Sequence, residues 1–119
     1  MDRDPTILAA FLEESREGLD VFDQDLMALE AGDDVADRTT RLFRTLHTVK
    51  GTCGFLDLPR LEALAHAGES VLGELRDRRL QPAPAVVRAL LGLGDRIRQV
   101  LDEAEWRGED QPIGDDDRS

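Results

Sequence analysis

Tyrosine is absent from this 119-residue chain, cysteine and lysine occur once each, and aromatic residues make up only 4% of it. With so few rings, a core must be built mainly from Leu, Val and Ala, a composition that favours helices over sheets. The lone Cys53 excludes an intramolecular disulfide and fits a reducing cytoplasm. No uncharged apolar run approaches the roughly 20 residues that a bilayer requires, so a transmembrane span is excluded. The N-terminus, MDRDPTILAAF, is acidic where a signal peptide is basic, which points away from secretion. Basic residues number 15 against 26 acidic ones, a net charge of −11. General nucleic-acid binding needs basic surface to displace counterions, and this chain has little.

What is present is concentrated. Arg38, Arg41, Arg44 and Lys50 fall between Asp37 and Gly54, with no acid after Asp37. One basic patch on an acidic body suggests a place where an anion is handled.

Apolar residues recur at helical spacing in four stretches. Asp4-Pro5 starts the first, which carries Ile7, Leu8, Phe11, Leu12, Leu19, Phe22, Leu26 and Leu29 and stops at Gly32, a candidate C-cap. The second begins at Asp34 or Val35, with Leu42, Phe43, Leu46, Val49 and Cys53 on one face. A break is expected at Gly54–Asp57, with Asp57 capping a third helix and Pro59 in its first turn. That helix, with Leu58, Leu61, Leu64, Ala65, Gly68, Leu72 and Leu75 as its stripe, ends near Arg78-Arg79. The fourth carries Val86, Val87, Leu90, Leu91, Leu93, Ile97, Val100, Leu101 and Ala104, with Trp106 expected as a core anchor across the first helix. Short connections predict an all-α, up-down-up-down four-helix bundle. The domain spans residues 1–107, and 108–119 form an acidic linker.

His47 lies roughly 40° beyond the Phe43 edge of its apolar stripe, at the boundary between core and solvent. A neutral imidazole there is a nucleophile at fixed orientation. Lys50, one turn on, can balance phosphoryl oxygens. Gly51 and Gly54 remove side chains beside it, at a cost of roughly 1 kcal/mol each relative to alanine, and open space for a partner. A helix end capped at either glycine, with a structural His47, fits the same string. On the third helix, Glu69 can accept a hydrogen bond from His47 if the two helices pack antiparallel, fixing the tautomer. His66 can join that cluster; an ordinary solvated His66-Glu69 pair fits equally. Metal binding is disfavoured, with no HExxH and no CxxC, and with His66-x-x-Glu69 in the reverse order of a di-iron motif. There is no phosphate-binding GxxxxGK[ST], so any phosphoryl group on His47 must come from ATP held elsewhere.

The string His47-Thr48-Val49-Lys50-Gly51-Thr52-Cys53-Gly54-Phe55-Leu56 resembles the phosphoacceptor motif of histidine phosphotransfer (HPt) domains, and more narrowly that of the N-terminal HPt domain of CheA chemotaxis kinases. FLEESREGLD at 11–20 and LPRLEALAHAGESVLGELRDRRL at 58–80 extend the resemblance, which covers about residues 7–104. It implies that His47 takes the γ-phosphoryl group of ATP from a kinase catalytic domain and passes it to an aspartate of a response regulator receiver. It also implies that Lys50 aids phosphorylation, that Glu69 bonds the imidazole, and that His66 lies in the same network. ATP and Mg²⁺ then belong to the partner domains, and the domain is a cytoplasmic monomer without an ATP site. Arg44, Gly51 and Gly54 are the expected partner-facing residues beside His47. The fifth helix of some relatives is missing or truncated here, and the catalytic, dimerisation and coupling domains are absent, which suggests a fragment of a longer kinase. A free-standing relay protein and a helical binding module without phosphorylation are the alternatives.

Overall fold

A computed structural model describes residues 5–56 and 58–107, with side chains described except at 5, 54–56 and 107. Four helices follow in order: α1 (Pro5–Glu30), α2 (Val35–Leu56), α3 (Pro59–Arg76) and α4 (Pro84–Arg107). Among the described residues there is no strand, and no helix is long and apolar enough to cross a membrane.

Each helix packs on two neighbours, in the ring α1–α2–α3–α4–α1. Cross-helix contacts fix every neighbouring pair as antiparallel. Asp25 meets Arg38 and Gly18 faces Thr45 between α1 and α2. His47 meets Glu69 and Phe43 meets Arg76 between α2 and α3. Arg60 meets Glu103 between α3 and α4, and Arg16 meets Asp102 and Glu105 between α1 and α4. The bundle is therefore up-down-up-down. Its core is mainly aliphatic, with Leu19, Phe22, Leu26, Leu42, Leu46, Leu61, Leu72, Ile97 and Leu101 fully buried. Gly68 allows the closest approach: a Cβ there would overlap the side chains of Leu46 and Leu93.

Five details depart from the sequence expectations. Helix α2 runs through the expected break to Leu56. Buried Cys53 anchors its last turns, and the Leu58 amide donates to the Cys53 carbonyl at 3.0 Å, so packing overrides the weak helix propensity of Gly51 and Gly54. The N-cap position of α3 falls on Leu58, with no side-chain cap, and Asp57 lies outside the described residues. Helix α3 stops at Arg76 because Arg78 adopts a left-handed φ of 64° and the Arg79 amide turns back to the Glu74 carbonyl. Trp106 is not a core anchor: it is 82% exposed. It lies two residues past buried Ala104, about 200° round the helix and so away from the core. Ile7, placed on the stripe of α1, is likewise exposed at 42%. Asp4 and the segment 108–119 lie outside the described residues.

Candidate functional site

The α2–α3 seam brings three of the expected residues together. Glu69 is itself buried, and each of its carboxylate oxygens has one partner. His47 Nδ1 lies 2.5 Å from Oε2, and Lys50 Nζ donates to Oε1 at 2.5 Å. The register explains why. His47 and Lys50 are three apart on α2, so both lie on the face towards α3, and one carboxylate between them serves both.

Burial pushes the Glu69 carboxyl pKa up, but the hydrogen bonds and charges of Lys50 and His47 outweigh it, so its pKa falls below the ordinary value. Glu69 is thus a carboxylate and can only accept. The hydrogen between the two residues sits on His47 Nδ1, and in the neutral imidazole Nε2 keeps its lone pair. The imidazole side chain is 64% exposed, and Nε2 has no hydrogen-bond partner among the described residues. A nucleophilic nitrogen is therefore oriented from behind and open in front.

His66 does not join this hydrogen-bonded group. It is exposed, and with Lys50, Pro59, Glu62 and Ala63 it lines a shallow hollow of about 380 Å³. It sits one turn before Glu69 on α3, near enough to share the surface with Lys50 but bonded to neither partner of the carboxylate. Among the described residues no group of three or more His, Cys, Asp or Glu side chains is placed to hold a metal ion.

A groove between α1 and α2 reaches Thr48, the residue after His47. Thr48, Arg44, Thr45 and Arg41 line it from α2, and Phe11 and Glu14 from α1, around about 390 Å³. Arg41 spends part of its charge on Asp25, 3.5 Å away, whereas exposed Arg44 has no ion-pair partner among the described residues. A Cβ on Gly51 would meet nothing within 4 Å, so the approach to His47 along α2 is open. The side chain position of Gly54 lies outside the described residues.

Two residues of the site were not singled out for it by the sequence. Phe43 stacks on His47, with ring centroids 6.1 Å apart and planes 9° from parallel, and the Arg76 guanidinium lies 4.7 Å over the Phe43 ring. The signal existed in the spacing. Phe43 is one turn before His47, and Arg76 is two turns after Glu69 on the same face of α3.

Comparison with known proteins gives one consistent picture. The family model described as "Hpt domain" matches residues 6–105. The sensor histidine kinase CheAY of Helicobacter pylori is 33% identical over 114 residues, which cover 96% of this chain and 14% of that protein. The chemotaxis protein CheA of Borreliella burgdorferi is 30% identical over 95 residues, covering 80% of this chain and 11% of that protein. The chain thus spans a small part of the length of these relatives. A solved structure, the phosphorylated P1 domain of CheA3 in complex with CheY6 from R. sphaeroides, superposes with a TM-score of 0.85 at 31% identity and covers 97% of this chain and 89% of that one.

Proposed function

The chain belongs to the Hpt domain family, and on that premise we propose that His47 is its phosphoacceptor, loaded from ATP on a separate kinase domain and unloaded to a response regulator. The observation that carries the reading is the occupied Nδ1: Glu69 holds it at 2.5 Å, and Nε2 is left as the reacting atom.

In the loading step the Nε2 lone pair forms a bond to the γ-phosphorus while the bond from that phosphorus to the β–γ bridging oxygen breaks. ADP leaves with the electron pair. The Nδ1 hydrogen stays on its hydrogen bond, and the Glu69 carboxylate balances the positive charge that develops on the ring. Lys50 stands beside the path of the transferred oxygens. A loose phosphoryl transition state asks for positioning and charge balance, and these residues supply both. In the unloading step an aspartate carboxylate oxygen of the receiver attacks the phosphorus, and the N–P electron pair returns to Nε2. ATP and Mg²⁺ are bound by the partner domains.

The receiver docks beside His47 over the α1–α2 groove, where Arg44 offers an uncommitted cation on an acidic chain and Gly51 leaves room. The solved relative in complex with CheY6 supports a partner of that class. The relatives named sensor histidine kinase CheAY and chemotaxis protein CheA support placement within a CheA-type kinase, and with Cys53 as the single cysteine they support a cytoplasmic location.

The test uses this chain and its His47→Gln variant with the cognate kinase core and radiolabelled ATP. Acid-labile, base-stable label on the wild type alone is the expected result. No label with the cognate core overturns the reading. H47Q should remain folded, because the side chain it replaces is mostly exposed.

A further inference from the structure

A hydrogen bond at Nδ1 pins one point of the His47 ring. It leaves the ring plane free to tilt, since the torsion that turns an imidazole has a broad well. A second constraint is therefore needed to aim the Nε2 lone pair.

Phe43 supplies it. Its ring is one turn back on α2 and nearly parallel to the imidazole, 9° off at a centroid distance of 6.1 Å. That is within the range of offset stacking. Phe43 is in turn held from α3. The Arg76 guanidinium covers its face at 4.7 Å, and a Cβ on Gly73 would stand 4.0 Å from Cε1. The contacts run Arg76, Phe43, His47, Glu69, Lys50, crossing between α3 and α2 at three of the four steps. Helix α3 thus grips the imidazole twice, once at a ring nitrogen and once through the face of Phe43.

We propose that Phe43, clamped by Arg76, is a positioning residue for phosphoryl transfer at His47, setting the imidazole plane and so the direction of the Nε2 lone pair. The inference rests on the phosphoacceptor reading above. The N–P bond forms along that lone pair, opposite the P–O bond that breaks as ADP departs with its electrons. A ring tilted about Nδ1 takes the lone pair off that line without weakening the docking of the two proteins. Loss of the clamp therefore lowers kcat and spares KM.

The experiment measures initial rates of phosphorylation by the kinase core with Mg-ATP, against concentration of this chain, for wild type, Phe43→Leu, Phe43→Tyr and Arg76→Ala. The His47 ring-proton shifts are recorded on the same proteins. F43L keeps apolar bulk but loses the flat face; its kcat should fall roughly tenfold, with KM within about twofold. F43Y keeps the face and should restore most of the rate. The His47 ring protons should shift in F43L, through loss of the neighbouring ring current, and hold in F43Y. Undiminished kcat in F43L, equal losses in F43L and F43Y, or a change confined to KM overturns the proposal. If F43L loses its helical circular dichroism, R76A carries the test with a smaller loss of kcat, about twofold to threefold, and no loss overturns the proposal. An unlabelled wild type overturns the phosphoacceptor reading and the inference with it, whereas a labelled wild type beside an equally fast F43L overturns the inference alone.

Discussion

Lys50 and His47 share the two oxygens of Glu69, and Lys50 takes the oxygen that faces away from the imidazole, at 2.5 Å. The lysine therefore does more than stand near the phosphoryl path. It keeps the carboxylate ionised and turned so that the other oxygen meets Nδ1.

Replacing Glu69 by Ala removes the acceptor from Nδ1 and the partner from Lys50 in one change. Phosphorylation of His47 should slow by roughly tenfold to a hundredfold without being abolished, because the nucleophile remains and only its orientation is lost. Single-turnover labelling with the kinase core measures this. An unchanged rate removes Glu69 from the site.

The same carboxylate makes stability depend on pH. Folding lowers the Glu69 pKa, because the contacts of Lys50 and His47 outweigh the cost of burial. As pH falls, the unfolded chain takes up the proton first, so acid favours unfolding. The contribution is fully present above the unfolded value of about 4.3 and is lost as pH falls through the lower folded value. Urea midpoints of wild type and Glu69→Gln should differ most near neutrality and converge in acid. A gap that widens as pH falls from 5 to 3 contradicts the assignment.

The four helices were legible in the sequence because apolar residues at a period near 3.6 leave one packing solution when the turns are short. His47, Lys50 and Glu69 were legible for the same reason, since an antiparallel α2–α3 pair puts their flanks together. The misses have physical causes as well. Trp106 and Ile7 lie beside the stripes in sequence and off them in angle, and hydrophobicity alone does not report angle at a helix end. Asp25 is fully buried on α1 with no sequence signal, because its acceptability depends on Arg38 arriving from α2 at 2.8 Å. The Arg76–Phe43–His47 stack depends on rotamers and on helix register, which the spacing permits but does not fix.

Asp25 tests how much a buried charge matters in this bundle. Its side chain is 1% exposed, and one oxygen, Oδ2, is buried without a hydrogen bond among the described residues, 3.5 Å from Arg41 Nε. Asp25→Ala leaves Arg38 without its main acceptor, 2.8 Å away. Arg16 also makes two cross-helix pairs, but with acids 73% and 61% exposed, where solvent screens them. Arg16→Ala should cost no more than about 0.5 kcal/mol, and D25A several times as much, by urea unfolding. Equal costs would mean that Asp25 is not the tie between α1 and α2.

Two helices end in the same motif with different residues at its left-handed position. At the end of α1 the Asp33 amide returns to the Ala28 carbonyl and the Gly32 amide to Leu29, with Gly32 at φ 81°. At the end of α3 Arg79 returns to Glu74 and Arg78 to Leu75, with Arg78 at φ 64°. A side chain there costs about 1–2 kcal/mol, of which glycine gives back about 0.5–1 in chain entropy. Arg78→Gly should therefore stabilise the domain by about 0.5–1 kcal/mol, and Gly32→Ala should destabilise it by a similar amount. Urea midpoints read both, and destabilisation by R78G would contradict the motif.

Gly51 and Gly68 separate folding from function. Both are helical, so either alanine gains up to about 1 kcal/mol of helix propensity. At Gly68 the new Cβ overlaps Leu46 and Leu93 in the core, and overpacking of roughly 1–3 kcal/mol wins. At Gly51 the Cβ enters open space, so Gly51→Ala should raise the unfolding midpoint. That open space lies one turn from His47, on the side proposed for the receiver. If it is kept for the partner, G51A should be more stable than wild type and slower in transfer, and Gly51→Leu slower still. Stopped-flow transfer to a receiver domain, set beside urea unfolding of the same proteins, decides the matter. A G51A protein that is both more stable and equally fast would leave the glycine without a functional reason, whereas loss of stability would mean that α2 does not run as a helix past His47.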